Sequence, residues 1–126
     1  MTTEKLIKDG YKILNAVITS ADLSMADHDC LTLPITLEGK GWGCTMGNCS
    51  LGSGHIGAET FIGWEYAAEY IMRIMDVVDV SHFNNLKGKY IRVAFDKTDR
   101  VYAIGNIIKN KWFCSQNFFA SKEVKE

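Results

Sequence analysis

The sequence predicts an α+β fold: a mainly antiparallel sheet of about six strands, in the order β-β-β-β-α-β-β, packed by one long amphipathic helix. Three observations carry this. Short apolar or alternating runs, punctuated by Gly, Pro and Asn, fill residues 12–51. Between Thr60 and Val80, apolar residues recur at spacings of three and four. Two further alternating runs then meet at the polar turn Lys97-Thr98-Asp99-Arg100. At 126 residues, 47% apolar and 23% charged, the chain has the size and composition of one folded domain spanning residues 1–126. Residues 1–10 and 120–126 are expected to fray.

Lys12 to Leu23 reads as the first strand. Ile13, Asn15, Val17, Thr19 and Ala21 alternate with Leu14, Ala16, Ile18 and Ser20, and both faces are apolar or small, which predicts a central position. Asp22 to Asp29 breaks the pattern and is expected as an exposed connection. Cys30 to Glu38 alternates again through Leu31, Leu33, Ile35 and Leu37, and Pro34, which has no N–H to donate, points to an edge strand or a bulge. Gly39-Lys40-Gly41 predicts a hairpin turn into Trp42–Met46, and Gly47-Asn48 a second turn into a strand over Cys49–Leu51. Seven of the eleven glycines lie between Gly39 and Gly57, interleaved with Trp42, Met46, Leu51 and Ile56. That mixture is too apolar for a flexible linker and predicts tight turns or close backbone approach.

Trp64, Ala67, Ala68, Ile71, Ile74, Met75 and Val78 form the apolar stripe of the expected helix, opposite Glu65, Glu69, Arg73, Asp76 and Asp79. A helix over Thr60–Val80 would have about 20 residues and span roughly 30 Å. Glu69 and Arg73 are spaced for an i,i+4 ion pair. Ser81 is positioned to cap a short turn through Asn84, with Phe83 and Leu86 closing the core. Lys89–Phe95 and Val101–Ile108 read as a hairpin, followed by an aromatic cluster of Trp112, Phe113, Phe118 and Phe119.

No motif names a reaction. Gly52-Ser53-Gly54-His55-Ile56-Gly57 matches G-x-G-x-x-G, but the parallel βαβ setting that puts pyrophosphate on a helix N-terminus is not predicted around it. Asp27-His28-Asp29-Cys30 gathers ligand-type side chains without the paired short spacings of a zinc site. Cys114 has no sequence-placed histidine base, and Ser50 and Ser53 lack a nucleophile elbow. No metal, cofactor or catalytic residue is therefore assigned. A small metal-assisted enzyme using Asp27, His28 and Asp29 stands as the alternative. No apolar run is long enough to span a bilayer and no signal-peptide pattern opens the chain, so a cytoplasmic location is expected, with Cys30, Cys44, Cys49 and Cys114 as thiols.

Charge is more informative in its distribution than in its total. The formal net charge of −1 argues against non-specific nucleic-acid coating. Residues 1–86 carry five basic and eleven acidic side chains, a balance of −6, whereas residues 87–111 carry seven basic and two acidic, a balance of +5. Cations interleaved with aromatic faces suit phosphate contact and base stacking. The candidate ligand-binding residues are Trp42, His55, Arg92, Arg100, Lys109 and Trp112. The candidate partner-binding residues are Glu65, Glu69, Asp76, Asp79, Phe118 and Phe119. Self-assembly is a further reading, with the basic hairpin of one copy meeting the acidic helix face of the next.

Ser20-Ala-Asp-Leu-Ser-Met-Ala-Asp-His28, Gly41-Trp-Gly-Cys44, Ile71-Met-Arg-Ile-Met-Asp-Val77, Ile104-Gly-Asn-Ile-Ile-Lys109 and Lys111-Trp-Phe113 resemble a small family of proteins encoded by phages and prophages of Firmicutes. The resemblance runs from about Ile18 to Phe119. It brings no catalytic or binding residues, and it implies a phage accessory protein acting in the host cytoplasm. By analogy with small phage proteins, it implies a counter-defence role. Such a protein would bind without catalysing, either sequestering a phosphorylated nucleotide immune signal or blocking a host defence effector such as a CRISPR nuclease. A phage structural or interaction protein is the remaining alternative.

Overall fold

The first segment of regular structure is a helix that was not expected. In the computed structural model, which describes residues 1–123, α1 spans Thr3–Lys8. Thr2 caps it by accepting from the Lys5 N–H, and Leu6 is buried against the sheet. Residues 3–8 of the stretch expected to fray are thus helical. The remaining elements are β1 (Lys12–Ala21), β2 (Ser24–Asp27), β3 (Cys30–Thr32), β4 (Ile35–Gly39), β5 (Trp42–Met46), β6 (Gly52–Ser53), β7 (Ile62–Gly63), α2 (Ala67–Val78), β8 (Tyr90–Phe95), β9 (Val101–Asn106), β10 (Trp112–Phe113) and α3 (Ser115–Ser121). The class is α+β, as the sequence predicts.

The larger sheet has six strands in the order β10-β9-β8-β1-β4-β5, and every neighbouring pair is antiparallel. β1 lies in its interior, between β8 and β4, because both of its faces have apolar residues to bury. Ala16 and Ile18 enter the main core, while Ile13 packs in a second cluster with Leu6, Ala94, Ala103 and Cys114 on the α1 side. The main core joins Ile35 and Leu37 of β4, Ile91 and Val93 of β8 and Ile104 of β9 to Tyr70 and Ile74 of α2, all fully covered. Trp42 of β5 meets Phe95 of β8 edge-on, with ring centroids 5.0 Å apart. Three strand spacings separate these strands, about 14 Å in a flat sheet, so the sheet curls strongly.

The alternating run Cys30–Glu38 is two strands in two different sheets. Pro34 interrupts it, and its carbonyl accepts from the Asp22 N–H at 3.1 Å. β3 then belongs to a smaller sheet of order β2-β3-β6-β7, while β4 enters the larger one. The stretch expected as an exposed connection supplies β2, which is joined to β3 by a tight turn in which His28 and Asp29 both take positive φ (51° and 56°). The strand expected over Cys49–Leu51 does not form, and Gly52–Ser53 pairs instead.

α2 has 12 residues, not about 20. Upstream, Ile62 and Gly63 pair with β6, and the Trp64 N–H is bound to the Leu51 carbonyl at 3.1 Å. These contacts hold the chain extended where the spacing predicts helix. The buried side chains of α2 are Tyr70, Ile74, Val77 and Val78, so the inward face is rotated towards Tyr70, which the predicted stripe omits. The helix ends at Asp79, in the left-handed conformation with φ 64°. α3 occupies part of the expected frayed tail, whose residues 124–126 lie outside the described residues. Among the described residues, no helix is long and apolar enough to cross a membrane.

Candidate functional site

The curl brings the outer edge of β5 opposite the first half of β9, but among the described residues no hydrogen-bonded pairing closes the seam. β10 would be the closing strand. It pairs only through Trp112 with Gly105 and Phe113 with Ile104, and the chain then turns into α3 at Ser115. Among the described residues, Val101–Ala103 has no strand on that side.

A groove follows the seam as two adjoining cavities of about 380 and 310 Å³ that share Cys44 and Asp99. The first lies between Cys44–Gly47 and Asp99–Ala103, with Phe113, Ser115 and Gln116 at its far end. The second is bounded by Lys12, Leu14, Trp42, Gly43 and Phe95. The Tyr70 hydroxyl and Ser115 Oγ lie 3.2 Å apart, tying α2 to the start of α3. Burial pushes the Tyr70 phenol up, and it does the same to the Cys44 and Cys49 thiols, which stay protonated at neutral pH. A broader, shallower depression of about 530 Å³ crosses β6 and β7 beside Trp64, Phe119 and Lys122. Its cation is engaged, since Lys122 lies 3.3 Å from Glu69.

The six residues expected to bind ligand fall in three places. Trp42 and Arg100 line the groove. Arg92, Lys109 and Trp112 gather at the opposite edge of the sheet. There Arg92 donates to the carbonyls of Asn106 (2.7 Å) and Lys109 (2.8 Å), with its guanidinium 5.2 Å from the centre of the Trp112 ring. His55 stands in the loop after β6, with Nδ1 4.0 Å from Asp29. Both indoles pack over glycines, Trp42 over Gly39 and Trp112 over Gly105, where a Cβ would sit 2.1 and 2.6 Å from the rings.

The acidic residues are mostly neutralised within the chain. Glu69 pairs with Arg73 at 2.8 Å as well as with Lys122. Asp76 pairs with Lys111 at 3.4 Å, and Asp79 pairs with Lys111 at 2.8 Å and Lys109 at 2.9 Å. Hydrogen bonds from Lys111 and then Lys109 hold the Asp79 carboxyl down at about 2. Glu65 alone of the four is in no ion pair among the described residues. Lys109 and Lys111 of the basic segment thus meet Asp76 and Asp79 of the acidic helix within one copy. Phe118 is buried, and Phe119, half-buried, stacks on Trp64 with centroids 4.8 Å apart and lines the depression beside β6 and β7.

The glycine motif does not open onto a helix, because Gly52 lies in β6 and β7 intervenes before α2. His28 Nδ1 is hydrogen-bonded to Asp27, its neighbour in sequence. Among the described residues, no three His, Cys, Asp or Glu side chains are grouped to hold a metal ion.

Comparisons with family models, curated proteins and solved structures each found no match. The groove was missed at the sequence level at Thr45, Tyr102, Ser115 and Gln116. The only available signal was that Trp112-Phe113 is too short an apolar run to finish a sheet.

Proposed function

We propose that the chain is a non-enzymatic binding protein whose recognition surface is the groove at the open seam. The observation that supports this is the seam itself. Two strand edges face each other across a lined space, and the strand that would fill it stops after two residues. In keeping with the resemblance to phage proteins, the partner is a defence protein in the host cytoplasm, whose action the bound chain blocks. A second reading, sequestration of a phosphorylated nucleotide signal, draws on Arg100 and Trp42 lining the same groove. Lys109, Arg92 and Trp112 add nothing to it, since none of them lines the groove.

Native mass spectrometry of the chain purified from host lysate tests both readings, alongside a Gln116→Trp variant that fills the groove. Added protein mass that disappears in the variant supports effector binding. A retained small molecule that disappears in the variant replaces it with nucleotide sequestration. Equal masses on both proteins overturn the assignment of the groove.

A further inference from the structure

Resting on that reading of the groove, we infer that its occupant is an extended peptide segment of the partner with an anionic C-terminal end, added as a strand between β5 and β9. The successive antiparallel pairings β9-β8-β1-β4-β5 make β5 and β9 run in the same direction. One strand placed between them is antiparallel to both, in the line that β10 begins and abandons at Cys114. Such an occupant satisfies main-chain groups on two walls at once, as strand addition does wherever an edge is left open.

The register of β5 says which groups those are. Gly39 and Trp42 flank the two-residue turn Lys40-Gly41 and form a hydrogen-bonded pair, so the main-chain groups of Gly43 and Thr45 point away from β4 into the seam. Direction follows from the same geometry. An antiparallel occupant enters beside Met46 and leaves beside Trp42, where the lining carries Lys12 and Arg100 against Asp99, the Asp96 carboxylate being taken up by the N–H groups of Thr98 and Arg100. That end favours a C-terminal carboxylate or acidic side chains. Apolar side chains at alternate positions would face Leu14, Trp42 and Phe113.

The probe is an octapeptide alternating Val and Thr, labelled with fluorescein at its N-terminus and ending in Asp-Asp with a free carboxylate. Binding is read by fluorescence polarisation. Saturable binding is expected, weakened by about tenfold or more when alternate backbone nitrogens are methylated, and likewise when the peptide ends in an amidated Lys-Lys. Thr45→Pro removes an outward donor without touching the ladder to β4, and is expected to weaken binding by about tenfold while leaving the thermal melt intact. Equal binding of the methylated peptide overturns strand addition, whatever the variant does. Equal binding of the Lys-Lys amide overturns the direction and the charge preference. If no peptide binds while Gln116→Trp still abolishes partner capture, the groove stands as the site and the strand inference falls.

Discussion

Asn106 is the place where one side chain is asked to hold three segments. It is 4% exposed, and its amide makes four hydrogen bonds. Nδ2 donates to the Val77 carbonyl (3.0 Å) and to Asp79 Oδ2 (2.9 Å), while Oδ1 accepts from the N–H groups of Ile108 (3.0 Å) and Lys109 (2.9 Å). The Val77 carbonyl is one of the last four of α2, which have no partner within the helix. Asn106→Ala leaves it buried and unpaired, while the two loop amides are exposed enough to regain water. The orphaned carbonyl contributes about 1–2 kcal/mol and the amide bonds together about 1 kcal/mol, a total of about 2–3 kcal/mol. The half-buried contact with Asp79 is left out of that sum. For a domain of this size the melting temperature should fall by about 8–12 °C. Asn106→Asp is the sharper variant. It keeps the acceptor for both amides but loses both donors and sets a second carboxylate beside Asp79. At neutral pH it should be at least as unstable as Asn106→Ala, and it should recover towards pH 4, where a protonated carboxyl can donate to Val77. Urea and thermal unfolding of the two variants at both pH values provide the assay. A loss below about 0.5 kcal/mol for Asn106→Ala, or an Asp variant more stable than the Ala variant at neutral pH, refutes the reasoning.

Three further outcomes are expected. Gly105→Ala puts a methyl group 2.6 Å from the Trp112 ring and must displace it, so urea unfolding should show a loss of about 1–3 kcal/mol. Ile74→Ala empties a fully buried site between α2 and the sheet and should cost about 2–5 kcal/mol by the same measurement. Asp79 sits at about 2 in the folded chain against an ordinary 3.8, so its contribution is present above pH 3.8 and is lost as the pH falls towards 2. The urea midpoint should therefore fall more steeply with acidification in the parent chain than in Asp79→Asn. Parallel curves would remove that assignment.

Local pattern was legible wherever a neighbour in sequence decides the outcome. The alternation of Leu31, Leu33, Ile35 and Leu37 marks extended backbone correctly, and the hairpin at Lys40-Gly41 and the Glu69–Arg73 pair form as their spacing requires. The passage of the chain from one sheet to another at Pro34 is a tertiary event that alternation does not encode. The spacing of Thr60 to Trp64 fits a helix turn, yet pairing with Gly52–Ser53 claims those residues first. The segment Thr3–Lys8 is too short to announce itself by periodicity, and its order comes from burial of Leu6 and from Asn110, which binds Thr3. Charge balance showed two blocks of opposite sign. Some thirty residues of sequence between Asp79 and Lys111 concealed that Lys109 and Lys111 of one block pair with Asp76 and Asp79 of the other. The seam depends on total curvature, which no window of sequence contains.

The three indoles occupy three unlike surroundings: Trp42 beside the groove, Trp112 under a guanidinium, and Trp64 stacked on Phe119. Each therefore emits from a different part of the molecule. A set of Trp→Phe variants, each keeping one emitter, turns the chain into its own optical map. It would report separately the arrival of the two borders of the large sheet and the docking of the small one during refolding.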